Sequence, residues 1–388
     1  MERTEKRKVL VAMSGGVDSS VAAALLKEQG YFVVGGFMKN FSAESWAGVL
    51  DSDCPWEQDF ADVRAVCGKL DIECRSFNFE KEYREKVIEH FFAEYQAGRT
   101  PNPDIMCNKE IKFGLFLETA MKLGYDYIAT GHYSRVREIP NSKFQIPKYE
   151  LLKGTDMKKD QSYFLYTLTQ DQLKHVLFPI GHLQKSEVRG LARKFGLPNS
   201  EKKDSQGLSF VGHINVREFL KQRLPERTGE IVNSHGEVIG AHQGAWYYTI
   251  GQRHGLGLGG GEPYYVTKKD ISSNTLTVST LKMQNSPQPS LYQREGVRGS
   301  SLYSKAAKLN SIHWIGQAPK LPLTCSAKIR HQQPDQDCIV FSPPARGGDG
   351  EGVGELNVQF SSPQFAIAPG QSIVFYDGER VLGGGVIA

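Results

Sequence analysis

The sequence predicts an α/β fold, with a doubly wound parallel sheet followed by a small α+β central domain and a C-terminal β-barrel. Apolar runs typical of buried strands alternate with helix-like segments through about the first 130 residues. Beyond a polar joint at 199–212 the runs become short and alternating, and the C-terminal part contains only strand-like runs. Because 388 residues exceed the usual size of one domain, we expect three, at 1–205, 206–280 and 281–388.

Strands and helices alternate in the predicted parallel sheet. Four strands are predicted at 9–12, 31–38, 72–79 and 126–130. Helices with apolar residues at helical spacing are predicted between them, at 21–29, 58–70, 81–96 and 110–123. Ligands of such sheets bind at the carboxyl ends of the strands, so we expect the functional residues to lie there.

A turn rich in glycine and serine, SGGVDSS at 14–20, joins the first strand to the first helix. Gly15 and Gly16 allow the backbone to approach a phosphate closely, the start of the helix directs free N–H groups at it, and the serine hydroxyls add donors. A Walker loop needs the pattern GxxxxGK[ST], which the sequence does not contain. The turn therefore predicts a site for a pyrophosphate group, and an ordinary Gly-Ser turn before a helix is the alternative.

The segment RTPNPDIMCNKEIKF at 99–113 carries the candidate for nucleophilic chemistry. Its two prolines and the asparagine between them predict an extended or turned loop rather than a helix. The loop would present Asp104 and Cys107, three residues apart, at the edge of the sheet. Lys109 and Lys112 could lower the pKa of the Cys107 thiol, which favours a nucleophile over an incidental cysteine.

Three more segments are candidates for ligand binding. Gly131, in ATGHY at 129–133, would allow a nucleotide base or ribose to approach, whereas a histidine such as His132 is more often a structural hydrogen-bonding residue. KKDQS at 158–162 lies beside aromatic residues and is equally consistent with contact to a phosphate backbone and with a solvated turn. HGLGLGGG at 254–261 matches GxGxxG, but a strand follows where a dinucleotide site needs a helix, so we expect a flexible loop.

The rest of the chain is predicted to be mostly β-structure. Central strands are predicted at 230–232, 237–239, 263–267 and 275–278. C-terminal strands are predicted at 323–330, 337–341, 355–360, 372–376 and 380–387. A closed barrel of about six strands would protect the edges of the C-terminal sheet.

The composition argues against several classes of protein. The 47 basic and 43 acidic residues give a net charge of +4, a weak preference for polyanions. No run of 18 apolar residues indicates a membrane span, so we expect a soluble intracellular protein without a membrane partner. The six cysteines contain no CxxC pair, which argues against a zinc ribbon or a disulfide scaffold and predicts no metal site in the protein itself.

Seven segments together carry a resemblance to a known family. They are SGGVDSS at 14–20, GFMKN at 36–40, RTPNPDIMCNKEIKF at 99–113, ATGHY at 129–133, KDQSYFLY at 159–166, YTIGQRHGLG at 248–257 and PGQSIVFYDGERVLGGG at 369–385. In these segments the chain resembles the tRNA-specific 2-thiouridylases, which have the adenine-nucleotide alpha-hydrolase-like, PP-loop fold of the ATP pyrophosphatases. The resemblance implies that ATP adenylates O2 of the wobble uridine, position 34 of tRNA, and that a persulfide sulfur then attacks C2.

The resemblance also implies roles for individual residues. ATP, with Mg²⁺ expected beside it, would be bound by Ala12, Met13, Ser14, Gly15, Gly16, Val17, Asp18, Ser19, Met38 and Gly131. The target base would face Asn102, Pro103 and Asp104. Other parts of the tRNA would contact His132, Lys159, Asp160, Gln161, Arg330, His331 and Gln371. Cys107 would be the nucleophile, with Asp104 a candidate proton acceptor or donor.

The implied partners are tRNA and a protein that donates persulfide sulfur, a cysteine desulfurase or a relay protein. The implied compartment is the cytoplasm, with an organelle as the alternative. Two other functions stay open, namely another adenylating PP-loop ligase that forms an amide or guanidine, and a tRNA-binding relative without catalytic activity.

One departure from the family pattern concerns the sulfur carrier. The family has a second cysteine in a segment that reads DSQGLSFVG at 204–212 here, so that Ser209 occupies its position. A hydroxyl cannot carry a persulfide. Either Cys107 takes the persulfide and an outside thiol resolves it, or another cysteine such as Cys54 substitutes, or thiolation has been lost. An iron–sulfur cluster is not expected, because Asp104 and Cys107 are too few ligands and Ser209 offers a hard oxygen.

Overall fold

The computed structural model describes residues 6–42, 56–139, 149–203, 216–259, 261–281, 302–343 and 354–388. Ser209, Cys54 and the stretch 204–215 lie outside these ranges. The alternatives raised by Ser209 therefore stay open, and the domain limits stay predictions, because the limit at 205/206 falls in the same stretch.

Strands dominate the second half of the chain and alternate with helices in the first. The strands, β1 to β17 in chain order, are Lys8–Ala12, Phe32–Lys39, Glu73–Asn78, Tyr127–Thr130, Ser134–Glu138, Tyr149–Lys153, Val176–Leu177, Gly229–Val232, Val238–His242, Tyr264–Asp270, Thr275–Thr280, Tyr303–Trp314, Leu323–Lys328, Gln336–Phe341, Leu356–Phe365, Ser372–Asp377 and Arg380–Ile387. The α-helices, α1 to α9, are Val17–Glu28, Trp56–Leu70, Glu80–Tyr83, Glu89–Gln96, Pro103–Cys107, Leu117–Lys122, Gln170–Leu173, Lys185–Lys194 and Val216–Lys221. The π-helical segments Arg84–Ile88 and Asn108–Phe116 join α3 to α4 and α5 to α6.

The doubly wound parallel sheet predicted for the first part of the chain is confirmed. Its five strands lie in the order β3-β2-β1-β4-β7, and every pairing is parallel. Val9 and Val11 of the central strand β1 pack with residues of α1, α2 and α8, whereas Leu10 packs with the helices at 80–96 and 103–122. Because helices cover both faces, the continuous apolar run of β1 is fully buried.

The turn between β1 and α1 is shorter than predicted, because α1 begins at Val17 rather than at residue 21. Asp18 lies in the first turn of the helix, where a carboxylate interacts favourably with the helix dipole. The Ser20 hydroxyl donates to the Gly16 carbonyl at 2.9 Å and satisfies a backbone acceptor at the helix start. Only residues 13–16 connect the two elements, so the free N–H groups of α1 lie directly beyond the end of β1.

The prediction that residues 99–113 form a loop is wrong beyond Asn102. Pro103 occupies the first position of α5, and the Asn102 side chain accepts from the N–H groups of Asp104 at 3.1 Å and Ile105 at 3.3 Å. Proline at this position loses no helical hydrogen bond and has the φ of a helix, while asparagine is a preferred N-cap. The residues interpreted as helix breakers therefore start a helix that continues to Lys122.

The central part and the barrel agree with the predicted classes. The central sheet has the order β10-β11-β8-β9, and we call residues 216–281 the middle unit. The barrel is closed by six strands in the order β12-β15-β14-β13-β16-β17, with β17 paired back to β12. The sequence analysis missed β12, in which only Ala307 and Leu309 are buried and whose apolar pattern is correspondingly weak.

A hairpin from the first part of the chain extends the barrel sheet. β5 pairs with β6, and β6 meets β17 at Leu152 and Arg380. The buried ammonium groups of Lys153 and Lys328 lie at this junction, and both contact Asp335, while Lys328 Nζ is also 3.6 Å from Asp160 Oδ2. Buried charges need partners of opposite sign, so this cluster fixes the barrel against the first part of the chain.

None of the helices within the described ranges is both long and apolar enough to span a membrane.

Candidate active site

The turn at 13–16 forms a cradle at the carboxyl end of β1. Gly15 has φ +76°, and a Cβ atom on it would lie 2.7 Å from the Asp59 carbonyl oxygen, so only glycine fits. Ser14 is exposed, whereas the Ser19 hydroxyl lies inside and donates to the Gly16 carbonyl at 3.2 Å. Of the predicted hydroxyl donors, those of Ser19 and Ser20 thus bond within the turn.

Asn199 supports the cradle from behind and was missed by the sequence analysis. Its buried side chain donates to the Gly15 carbonyl and to the Ser20 hydroxyl, each at 2.9 Å. It lies far from the turn in sequence and follows α8, so no local pattern marks it. The bonds hold the turn in the shape that an anion site needs.

A lysine faces the cradle although the turn itself contains none. Lys185, the first residue of α8, donates to both carboxylate oxygens of Asp18, at 2.8 and 2.9 Å. The Tyr133 hydroxyl donates to the same carboxylate at 3.0 Å. The Lys185 side chain is 15% exposed, so its charge interacts with the mouth of the cradle through little water. Sequence spacing gave no signal for Lys185, because α8 reaches the turn only through the fold.

The other predicted nucleotide contacts differ in how their side chains lie. Ala12, Met13 and Val17 are buried, and Met13 Sδ lies 3.7 Å from Cys67 Sγ in the core. Only the backbones of these three residues border the cradle. Met38 is half-buried near the end of β2. Contact between these residues and a nucleotide stays a prediction.

Gly131 is required by packing, and the approach of a nucleotide to it stays a prediction. A Cβ atom on it would lie 2.6 Å from the Ser19 nitrogen and 2.7 Å from the Asp18 carbonyl carbon. The end of β4 therefore packs directly on the start of α1. This contact brings His132, the next residue, close to the cradle.

Cys107 is buried, which contradicts the expectation of an exposed thiol with a lowered pKa. Its side chain is 0% exposed at the end of α5, whereas Asp104 is half-exposed. Burial raises the pKa of the thiol to about 12, and the positive charge of Lys112 opposes this only in part. The expectation failed because the helix that begins at Pro103 turns Cys107 towards the core.

His132 lies in the same neighbourhood as a neutral side chain. Its Nδ1 is 2.7 Å from the Thr130 hydroxyl, and the ring packs against Phe113 and Phe178. Burial lowers the pKa of His132, and the charge of Lys112 lowers it further. The charge of Lys112 thus affects the pKa of both the Cys107 thiol and the His132 imidazole, so the three groups lie near one another.

Residues predicted to contact tRNA fall into two groups. Asp160 is buried, and its carboxylate accepts from the N–H groups of Gly154 and Ser162 at 3.0 and 3.1 Å, so it stabilises the turn. Gln161 accepts from the Tyr133 N–H at 3.0 Å in a similar supporting role. Lys159 is half-buried in the same turn. The alternative of a structural turn fits Asp160 better than contact with a phosphate backbone does.

The second group lies where the barrel meets the helix start. Arg330 donates to the Ala366 carbonyl at 2.9 Å, and His331 lies over Phe164 with its Nε2 on the Asp160 carbonyl. Burial lowers the pKa of His331, and the nearby carboxylates of Asp160 and Asp104 oppose this. Gln371 donates to the Thr100 carbonyl at 2.7 Å. Gln371 therefore lies beside the segment that leads into Asn102 and α5, and His331 lies near enough for the Asp104 carboxylate to act on its imidazole.

The thiol environments predict an order of alkylation. Cys74 is half-buried, and its hydrogen bond with Cys67 and the charge of Arg64 lower its pKa to about 7. Near pH 8 the Cys74 thiolate therefore forms far more readily than the Cys107 thiolate. We expect iodoacetamide to modify Cys74 rapidly and Cys107 far more slowly, as followed by peptide mass spectrometry.

A urea-unfolded sample is the control, because unfolding should remove the difference between the two thiols. Equal rates in the folded chain would show that the Cys107 thiol is accessible without any change of structure.

Comparison with known proteins supports a single family along the whole chain. A family model described as the tRNA methyl transferase HUP domain matches residues 7–213. The models described as the tRNA methyl transferase PRC-barrel domain and the aminomethyltransferase beta-barrel domain match residues 217–280 and 304–387. The second and third matches coincide with the middle unit and the barrel.

Several bacterial relatives are similar to this chain over nearly their full length. The chain is 48% identical over 382 residues to tRNA-specific 2-thiouridylase MnmA 2 of Geobacillus kaustophilus, covering 98% of this chain and 94% of the relative. It is 49% identical to tRNA-specific 2-thiouridylase MnmA of Methylobacillus flagellatus, with 98% and 99% covered. It is 46% identical to MnmA of Halalkalibacterium halodurans, with 100% and 96% covered. At this identity and coverage, the chain belongs to the family of the tRNA-specific 2-thiouridylases.

Proposed function

We propose that this chain is an ATP-dependent tRNA-uridine 2-sulfurtransferase that acts on the wobble uridine. The observation that carries the proposal is the continuity between the cradle and the thiol. Gly131 packs on the start of α1, and His132 follows it in the chain. The positive charge of Lys112 lowers the pKa of His132 and opposes the raised pKa of Cys107. An anion site connected through these neighbouring residues to a cysteine supports a coupled adenylation and sulfur transfer.

ATP would be held by the turn at 13–16 and the start of α1. The free N–H groups of α1 would face its phosphates, and Lys185 would exchange part of its contact with Asp18 for a phosphate oxygen. Such an exchange keeps the ammonium paired in both states. Lys185 would thus contact the phosphates as the lysine of a Walker loop does, but it comes from another helix and is already paired with Asp18.

Mg²⁺ would bind together with the nucleotide rather than in a site of its own. Among the described residues, no group of three or more His, Cys, Asp or Glu side chains could hold a metal ion. Asp18, 32% exposed at the mouth of the cradle, is the carboxylate best placed to add one ligand to an ion held by phosphate oxygens. The ion would offset the negative charge of the phosphates.

Adenylation makes the unreactive C2 carbonyl of uridine susceptible to attack. O2 of the base would attack the α-phosphorus of ATP, and pyrophosphate would leave. Asp104, half-exposed at the start of α5, would accept or return the proton of the base. A sulfur nucleophile would then attack C2, and AMP would leave with the former O2.

Cys107 would supply that sulfur as a persulfide received from a donor protein. The terminal sulfur of the Cys107 persulfide would form the bond to C2, and an outside thiol would then cleave the sulfur–sulfur bond and form a disulfide with Cys107. This route needs no second cysteine and is compatible with Ser209. The donor protein and a cytoplasmic location remain parts of the proposal.

The buried thiol implies that the reaction begins with a change at the helix start. The Cys107 thiol has a pKa of about 12 and no exposed surface. In this state it can neither receive sulfur from a donor protein nor reach the uridine base. We infer that tRNA opens the start of α5, since the predicted tRNA contact Gln371 bonds to the Thr100 carbonyl just before Asn102. Opening would speed the alkylation of Cys107 when tRNA is added.

A tRNA-binding protein without catalytic activity is the second candidate, favoured by the buried Cys107 and by Ser209. It would bind tRNA without releasing pyrophosphate from ATP. The family model that matches residues 7–213 is named after a tRNA methyl transferase, a different reaction on tRNA. Mass spectrometry of digested tRNA separates replacement of oxygen by sulfur from addition of a methyl group.

The role of Cys107 can be tested together with that of Ser209. We expect the native chain to form 2-thiouridine with ATP, tRNA and a persulfide donor, and Cys107→Ala to lose this by about a thousandfold or more, because the nucleophile is removed. Ser209→Cys measures what the serine costs: a large gain identifies a lesion, and no gain supports the route through an outside thiol.

Thiolation that persists in Cys107→Ala would contradict the proposed nucleophile and favour an adenylating ligase. Binding of tRNA by the native chain without pyrophosphate release would favour the second candidate.

Lys185 provides a test of the nucleotide site. We expect Lys185→Met to lower tRNA-dependent pyrophosphate release by about ten- to a hundredfold, because a charge-assisted contact to phosphate contributes about 1.5–3 kcal/mol. Lys194→Met is the matched control, since it removes the same charge from the exposed end of the same helix. Equal rates for the two variants would exclude Lys185 from the site.

A further inference from the structure

Each of the three polar groups of Thr100 forms a hydrogen bond with another part of the fold. Its N–H donates to the Pro369 carbonyl at 2.9 Å, and its carbonyl accepts from Gln371 Nε2 at 2.7 Å. Its hydroxyl lies 3.1 Å from the hydroxyl of Thr249. The first two partners belong to the barrel and the third to the middle unit, so one residue joins three parts of the chain.

The backbones meet at this junction without room to shift. A Cβ atom on Gly370 would lie 2.8 Å from the Thr100 nitrogen. A Cβ atom on Gly251 would lie 2.3 Å from the Ala366 Cβ, so the middle unit also touches the barrel directly. Both glycines have positive φ, +89° and +85°, which other residues adopt only with strain. Because the backbones are in close contact, a shift of the middle unit or the barrel would also move Thr100.

The middle unit holds Thr249 in a fixed turn. The Thr249 N–H donates to Gln252 Oε1 at 3.0 Å, and the carbonyl of Tyr248 accepts from Lys269 Nζ at 2.6 Å. The Gly251 N–H donates to the Val266 carbonyl at 2.8 Å, which ties the turn to β10. The position of the Thr249 hydroxyl is therefore set by the middle sheet and not by local flexibility.

A short rigid segment leads from Thr100 to the proposed reacting groups. Pro101 and Pro103 have restricted φ, and Asn102 between them caps α5. Asp104 is the second residue of that helix and Cys107 its last. A shift at Thr100 would therefore move the start of the helix as one body.

We propose that Thr249 is a positioning residue, through which the middle unit fixes the helix start that carries Asp104 and Cys107. This inference rests on the proposed function, in which the middle unit would position the start of α5. Thr249 does not touch the reacting atoms. Its hydroxyl sets where Thr100 lies, and Thr100 sets where Asp104 meets the base.

The test compares two substitutions at Thr249 with a control in the same unit. Thr249→Val removes the hydroxyl and keeps the shape, whereas Thr249→Ser keeps the hydroxyl. Thr267→Val is the control, because the Thr267 hydroxyl donates to the Thr277 carbonyl at 3.1 Å inside the middle sheet.

We expect Thr249→Val to lower kcat for thiolation by about five- to tenfold, the effect of one neutral hydrogen bond, with KM for tRNA changed by less than about twofold. Cys107 in the variant should be alkylated by iodoacetamide about fivefold faster without tRNA, because the helix start opens more easily. Thr249→Ser should restore both values, and Thr267→Val should change neither, even where it lowers the melting temperature.

A native kcat and alkylation rate in a folded Thr249→Val variant would overturn the inference, as would equal effects from Thr267→Val. These results are distinguishable from failure of the proposed function, in which the native chain itself forms no 2-thiouridine. The alkylation rate needs no catalytic activity and tests the positioning in either case.

Discussion

The cap on α5 is the interaction on which the proposed site depends. Asn102 accepts from two backbone N–H groups, and Pro103 supplies a helical φ, so a segment with two prolines becomes the start of a helix. The helix directs Cys107 into the core while Asp104 stays near the surface. Burial of the thiol, its raised pKa and the need for an opening step all follow from this one arrangement.

Polar groups around the site are already bound to partners that a substrate can replace. Lys185 is bound to Asp18 at the cradle, and Gln371 is bound to the Thr100 carbonyl at the helix start. Each group thus keeps a polar partner without ligand, which avoids the cost of an unsatisfied buried group. A phosphate or a tRNA group would exchange these contacts for new ones of similar chemistry. The free protein is consequently stable but closed around its thiol.

Features encoded by adjacent residues were predicted correctly. The parallel sheet follows from apolar runs such as that of β1, and the cradle follows from Gly15 and Gly16 in one turn. The prediction for residues 99–113 was wrong because proline can either interrupt a helix or begin one. Prolines that break a helix inside it also begin one, and the choice depends on the Asn102 cap. Strand β12 was missed because only two of its side chains are buried and its alternation is weak.

The sequence by itself determined the fold class, the family and the order of the functional segments, because these depend on periodicity and on motifs of adjacent residues. The tertiary structure decided that Lys185 and Asn199 support the cradle, that Asp160 stabilises a turn, and that Cys107 is buried. The physical reason is that burial, pairing of charges and contact between distant segments arise only when the chain folds, and no spacing along the chain specifies them.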